Sequence, residues 1–281
     1  MRNVPRRLAT PRPFLKWAGG KTQLLKELMP RIDAAGEFGR YHEPFLGGGA
    51  VFFEMVRTGR LRRNAWLSDN NPNLIDAYWG VKKDVDRVIE LLRVHEKRHC
   101  KEYYYRIRGR VPEDRLQRGA RIIYLNKTCY NGLYRENRKG EFNVPYGRYK
   151  NPTICDAPNL RAVATALKNV RIGAKHFVDV LKAARPGDLV YFDPPYHPVS
   201  RTSSFTGYEK NGFKEDSQRH LAGVFRELDQ AGVKVMLSNS MTPLVQQLYR
   251  GYVVEEVMAT RAVNSRGDRR GKVPEVLVRN F

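Results

Sequence analysis

Cysteine is scarce in this sequence: Cys100, Cys129 and Cys155 are the three present among 281 residues. They are widely spaced, form no CxxC pair and have no histidine cluster beside them, which argues against a disulfide framework and a structural zinc site. No metal is therefore expected. Long hydrophobic runs are missing too, and none would span a membrane. The stretch from Met1 to Pro13 is basic and broken by proline, without the apolar segment of a secretion signal behind it. A reducing cytoplasm is the expected location. No internal repeat or low-complexity tract stands out.

Acidic residues are also in short supply. Asp and Glu total 29 against 51 Lys and Arg, giving a formal net charge of +22. A polyanionic partner fits such a balance, because each cation near a phosphate releases condensed counterions. A generally basic enzyme is the alternative, and charge alone does not separate DNA from RNA. A membrane surface would call for an amphipathic basic helix, and none is found. Hydrophobic residues make up 41%, enough for a sizeable core. The length allows one large domain, or a catalytic domain carrying a smaller insertion.

Strands are predicted at Tyr41 running into a glycine turn, at Ala65 to Ser68, Val170 to Ile172, Leu189 to Phe192, Val233 to Leu237, Tyr252 to Val257 and Glu275 to Val278. The last two are expected to form a closing hairpin through the basic loop Ser265 to Lys272. Between them, helical spacing recurs, as at Val85, Val88, Ile89 and Leu92 behind Asp84 as a cap. Alternation of strands and helices indicates an α/β sheet of parallel type. From about Asn71 to Pro158 strands are few, so 71–158 reads as an inserted, mainly helical domain within a catalytic domain of 1–70 and 159–281. Inside it, Asn126 to Lys150 alternates aromatics with Gly, Asn, Arg and Lys without a period, as an ordered loop or hairpin would.

Chemistry concentrates in two places. Asp193-Pro194-Pro195-Tyr196 follows an apolar strand, where open α/β sheets bind ligands beyond the carboxyl ends. Proline stiffens the turn and removes donors, leaving carbonyls to face a ligand. An amine conjugated to a purine is a poor nucleophile. The Asp193 carboxylate and the Pro194 carbonyl could both accept its N–H bonds, while Tyr196 could stack on a base taken out of a duplex. An Asp-capped proline turn is the bland reading of the same four residues. The second place is Glu43-Pro44-Phe45-Leu46-Gly47-Gly48-Gly49, whose glycines let backbone approach a ligand. Asp69 follows about 20 residues on, the spacing at which an acid reaches a ribose diol in nucleotide-binding units.

With Phe14-Leu15-Lys16-Trp17-Ala18-Gly19-Gly20-Lys21, these motifs occur in an order that resembles the Dam-type family of adenine DNA methyltransferases. The similarity takes in Asn131-Gly132-Leu133-Tyr134-Arg135, Gly140 to Tyr149, Phe205-Thr206 and Ser238-Asn239. It implies a Rossmann-like sheet using S-adenosylmethionine, an inserted recognition domain with a β-hairpin, and double-stranded DNA as partner, with GATC as the site. No obligate protein partner and no membrane are implied, and the location becomes the nucleoid of a prokaryotic or phage-infected cell. Asp193, Pro194 and Tyr196 match the catalytic residues. Trp17, Lys21, Glu43, Phe45, Gly47, Asp69, Phe177 and Asp193 match cofactor contacts, although His176 stands before Phe177 where a small polar residue is the pattern. Lys16 and Arg135 match guanine-reading residues, Leu133 and Pro145 apolar base contacts, and Tyr130 and Asn131 the wedge beside a flipped adenine. Arg148 belongs to the same DNA-binding set. Phosphate binding alone is the competing account for Arg135, Arg138, Lys139 and Arg148, and it is the expectation for Arg138, Lys139, Arg266, Arg269 and Arg270. A cytosine-amine enzyme would more usually show Ser at position 193, and a protein-glutamine or RNA methyltransferase Asn. A catalytically dead DNA-binding module is disfavoured by intact Lys21, Asp69 and Asp193.

Overall fold

The structure, a computed structural model, describes residues 9–61, 64–198, 213–260 and 272–281. Among the described residues, seven strands form one sheet: β1 (Tyr41–Glu43), β2 (Ala65–Asp69), β3 (Arg171–Ala174), β4 (Leu189–Phe192), β5 (Lys234–Ser240), β6 (Val253–Thr260) and β7 (Lys272–Arg279), in the order β3-β2-β1-β4-β5-β7-β6. β1 runs parallel to both β2 and β4, and β4 parallel to β5. β7 is antiparallel to β5 and to β6, so the closing hairpin expected from sequence is present as a strand pair. The loop proposed to join them, with Arg266, Arg269 and Arg270, lies outside the described residues, as does Phe205-Thr206.

All four residues of β4 are buried, as an interior strand covered on both faces requires, and this is why it reads as an unbroken apolar run. Strand order reverses between β1 and β4, since chain order rises in one direction from β1 to β3 and in the other from β4. Such a reversal opens a crevice beyond the carboxyl ends of the two strands. Glu43 ends β1 and Asp193 follows β4, so the two motifs flank this crevice.

The chain divides into two compact units. The sheet unit comprises Gly19–Leu46, Leu61–Asn70 and Gly173–Phe281. Its core gathers Phe192, Leu221, Phe225, Val235, Leu237 and Val276 with their neighbours. The helical unit comprises Met1–Ala18, Gly47–Arg60 and Asn71–Ile172. Its helices start on side-chain caps: Asn71 accepts from the Leu74 amide at 3.1 Å, Asp84 from Arg87 at 3.0 Å and Asp114 from Gln117 at 2.8 Å. Each cap satisfies an amide that the first helical turn leaves open. The helix Pro72–Lys83 packs on Arg115–Thr128, and the buried Asp76 joins them by ion pairs of 2.7 Å to Arg115 and Arg118.

Between Thr128 and Gly147 the chain folds back on itself with two isolated antiparallel bridges, Cys129 with Tyr146 and Glu136 with Phe142. A continuous ladder is interrupted because Asn131 sits at φ 55° and a three-residue 3₁₀ turn, Tyr130–Gly132, breaks the pleat. This is the hairpin-like loop anticipated from the aperiodic texture.

Candidate functional site

In the sheet unit, the Asp193 carboxylate is held from one side. Its Oδ1 receives Lys21 Nζ at 2.6 Å and Ser238 Oγ at 3.0 Å. Because the Ser238 hydroxyl hydrogen points at Asp193, the buried Tyr191 hydroxyl, 2.9 Å from Ser238, must be the donor in that second bond. Oδ2 makes no bond to the described residues, nor does the Pro194 carbonyl. The Pro195 carbonyl, in contrast, accepts from Gln218 Nε2 at 3.0 Å, and Gln218 accepts in turn from the fully buried Asn239 at 2.9 Å. Among the described residues, one oxygen of the acid and the Pro195 carbonyl are thus engaged by the protein.

Electrostatics pull Asp193 in two directions. Burial raises its pKa, because the charged form loses water, while the Lys21 ammonium and the Ser238 bond oppose the rise; the net direction is upward. Lys21 donates also to the Gly19 carbonyl at 2.7 Å and lies 4.6 Å from the centre of the Tyr196 ring. The Tyr196 hydroxyl donates to Glu275 Oε2 at 2.8 Å, and burial with the nearby Asp193 and Glu275 charges drives its pKa far up. Tyr196 is therefore a neutral, oriented ring. Glu43 is buried under a 2.9 Å bond from Tyr41.

Beside the crevice, Pro44, Phe45, Asn70, His176, Phe177, Phe213 and Ser217 line a cleft. Phe45 and Phe177 stack at 5.4 Å, and Phe213 meets Phe177 at 5.9 Å. Aromatic walls with an amide and a hydroxyl at the rim suit a purine, and Asp69 immediately precedes Asn70 at the end of β2. The residues present therefore fit an adenosine-bearing cofactor. In the helical unit Gly47 has φ +48°, and a Cβ there would come within 3.0 Å of Trp17 Cδ1, so the turn and the indole are built against each other.

Exposure sorts the hairpin-like loop. Tyr134, Phe142 and Val144 are buried, and Leu133 is half-buried, whereas Tyr130, Asn131, Arg135, Pro145 and Arg148 are exposed, as is Lys16. Arg135 Nε donates to Asn143 Oδ1 at 2.7 Å, which fixes the plane of the guanidinium. Lys16 Nζ stands 4.9 Å over the Tyr149 ring. Sequence reasoning missed Tyr191, Gln218 and Glu275. Gln218 left a trace, an amide on the same helical face as Leu221, Phe225 and Leu228, where an apolar residue is the rule.

Fold and site together define an α/β enzyme with its acid-proline-proline-tyrosine turn at the strand reversal. The match to known proteins refines this. Residues 17–263 match the model of the D12 class N6 adenine-specific DNA methyltransferase, and the chain belongs to that family. It is 45% identical over 288 residues to the type II methyltransferase M.MjaIII of Methanocaldococcus jannaschii, covering 96% of this chain and 99% of that one. It is 42% identical to the type II methyltransferase M1.LlaDCHI of Lactococcus lactis subsp. cremoris over 96% and 95% of the two chains. To the DNA adenine methylase of Escherichia coli it is 36% identical over 95% and 94%. No helix among the described residues is long and apolar enough to cross a membrane.

Proposed function

We propose that this protein transfers a methyl group from S-adenosylmethionine to the exocyclic amine of an adenine flipped out of double-stranded DNA, within GATC. The observation that carries the reading is the one-sided hold on Asp193 at the strand reversal, where Lys21 and Ser238 both engage Oδ1; Oδ2 and the Pro194 carbonyl are the acceptors we assign to the amine. Two acceptors on one amine draw its lone pair out of conjugation with the ring and orient it. Tyr196, fixed by Glu275, offers its face to the flipped base. Lys21 and Ser238 keep Asp193 from turning while the amine docks.

Lys21, Glu43, Phe45, Asp69, Phe177 and Asp193 are the cofactor contacts of the sheet unit, with Asp69 accepting from the ribose diol and Phe45 and Phe177 walling the adenine. Trp17 and Gly47 are those of the helical unit. The cofactor when bound supplies an electrophilic methyl on a sulfonium. The exposed residues of the loop read DNA: Arg135 takes a guanine edge with a planar fork, and Lys16 the outer guanine. Tyr130 and Asn131 wedge into the duplex beside the flipped adenine, Leu133 and Pro145 make apolar contacts to the pairing partners of the target step, and Arg148 meets the backbone.

Methylation of a plasmid in a host lacking the modification, read by methyl-sensitive digestion at GATC, tests the assignment. Protection is expected with the wild-type protein. Asp193→Ala should fold and lose roughly hundredfold to thousandfold in rate, the range for one preorganised polar group. Near wild-type protection by Asp193→Ala would remove Asp193 from the chemistry.

A further inference from the structure

The Lys16–Trp17 step is docked on the recognition loop at several points within the helical unit. Asn126, buried to 1% exposure, accepts from the Lys16 amide at 2.7 Å and donates to the Lys16 carbonyl at 2.7 Å and the Gly132 carbonyl at 3.2 Å. Gly132 has φ +63°, and a Cβ there would lie 2.4 Å from Lys16 Cδ, so only glycine permits this closeness. The Trp17 ring rests on Tyr134, with centroids 4.9 Å apart at 32°. The Gly47 turn also lies against it, itself held by Tyr78 through a 3.2 Å bond to the Gly47 carbonyl.

Tyr134 is 3% exposed and cannot yield on its own. Its hydroxyl donates to Glu136 and accepts from Asn73 Nδ2 at 2.9 Å, while Asn73 also reaches Glu136 at 3.2 Å. Phe142 meets the ring edge-on at 5.5 Å. The next residue is Arg135, whose carbonyl accepts from the Asn143 amide at 2.9 Å and whose guanidinium is set by the Asn143 side chain. One buried, doubly pinned ring therefore separates the Trp17 indole from the Arg135 backbone.

We propose that Tyr134 is a positioning residue that ties cofactor occupancy at Trp17 to base reading at Arg135. The inference rests on the function proposed above. Linkage makes the effect reciprocal: if the correct duplex sets Tyr134, it must tighten the cofactor by the same factor as the cofactor tightens the duplex, and couplings of this kind run from roughly 5-fold to 150-fold.

Calorimetric titration with S-adenosylhomocysteine, an unreactive probe, tests it in three states: protein alone, protein with a GATC duplex, and protein with a duplex altered at the guanine assigned to Arg135. In the wild type the GATC duplex should tighten the probe about tenfold, and the altered duplex less than twofold. Tyr134→Leu should bind probe and duplex separately within about threefold of wild type, yet show less than twofold coupling. Tyr134→Met, unbranched and gap-filling, supplies the same readout if the leucine variant fails to fold. Tyr134→Phe keeps the ring on Trp17 and should retain most of the coupling. Tenfold tightening that survives in the leucine or methionine variant overturns the role of Tyr134 alone. Absence of probe binding to the wild-type protein overturns the proposed function and this inference together.

Discussion

At the scale of single residues, the site is governed by the contest over Asp193. Burial raises its pKa and Lys21 resists, so the acid limb of the pH–rate profile should lie above the ordinary carboxylate range. The sign for a neutral replacement follows directly. Lys21→Met removes the strongest influence favouring the carboxylate, the pKa climbs further, and the acid limb moves to higher pH. Single-turnover rates at saturating cofactor between pH 5 and 8 check this, and an unmoved limb would show that Lys21 does not govern the charge on Asp193. Glu275→Gln keeps an acceptor for the Tyr196 hydroxyl and should change turnover far less than Glu275→Ala. Asp193 and Lys21 were legible in the sequence because short motifs carry them. Their supports were not: Ser238 was seen as a motif without a role, and Tyr191 and Glu275 read as ordinary strand residues. Which strand lies beside which is a long-range fact, and β5 and β7 bring Ser238 and Glu275 to the turn only after the sheet is assembled.

At the scale of elements, the helix Val85–Lys97 carries a titrating contact that no pattern announced. His95 Nδ1 is hydrogen-bonded with the Tyr103 hydroxyl at 2.7 Å, and the ring stacks on Tyr124 at 4.7 Å. Burial, then the Arg98 charge, lowers its pKa to about 4. A histidine whose folded pKa lies below its unfolded value takes up a proton more readily when unfolded. Stability is therefore intact above about pH 6.5 and falls as pH drops from there toward 4, by about 3 kcal/mol in full. Denaturant midpoints at pH 7 and 4.5 should converge in His95→Gln relative to the wild type; an unchanged gap would assign the acid loss elsewhere. The hairpin-like loop between Thr128 and Gly147 teaches a related lesson. Its residue types follow no period, yet burial alternates along both arms, with Gly132 and Tyr134 buried on one and Phe142 and Val144 on the other, while Arg135 and Pro145 beside them are exposed; glycine and polar residues at these positions hide the alternation from the sequence. Under the proposed reading, Arg135→Ala should cost about 1–3 kcal/mol at one base pair alone. Methylation rates on duplexes changed one pair at a time measure it, and equal slowing on every duplex would make Arg135 a phosphate clamp.

For the whole molecule, the seven strands were anticipated in place and type, with ends that shift by one to three residues because pairing partners rather than composition set them. β4 was read to the residue, since an all-buried strand is apolar throughout, whereas β5, β6 and β7 each run three residues past the expected limit at one end. Net charge is the property that belongs to no single element. At +22, the protein is expected to neutralise several phosphates on binding DNA non-specifically, so log K should fall linearly with log salt at a slope near −0.9 per phosphate met. The specific contacts proposed for Arg135 act on one base pair and should leave that slope almost unchanged. Arg269 and Arg270 offer the contrast. Read from the sequence as phosphate contacts, they should not alter base preference, and replacing both by alanine should flatten the slope by about two if each meets one phosphate. Salt titrations of GATC and scrambled duplexes on both variants separate the cases. A double variant with the wild-type slope means that these two arginines meet no phosphate; one that loses affinity for GATC alone would place them among the base readers instead.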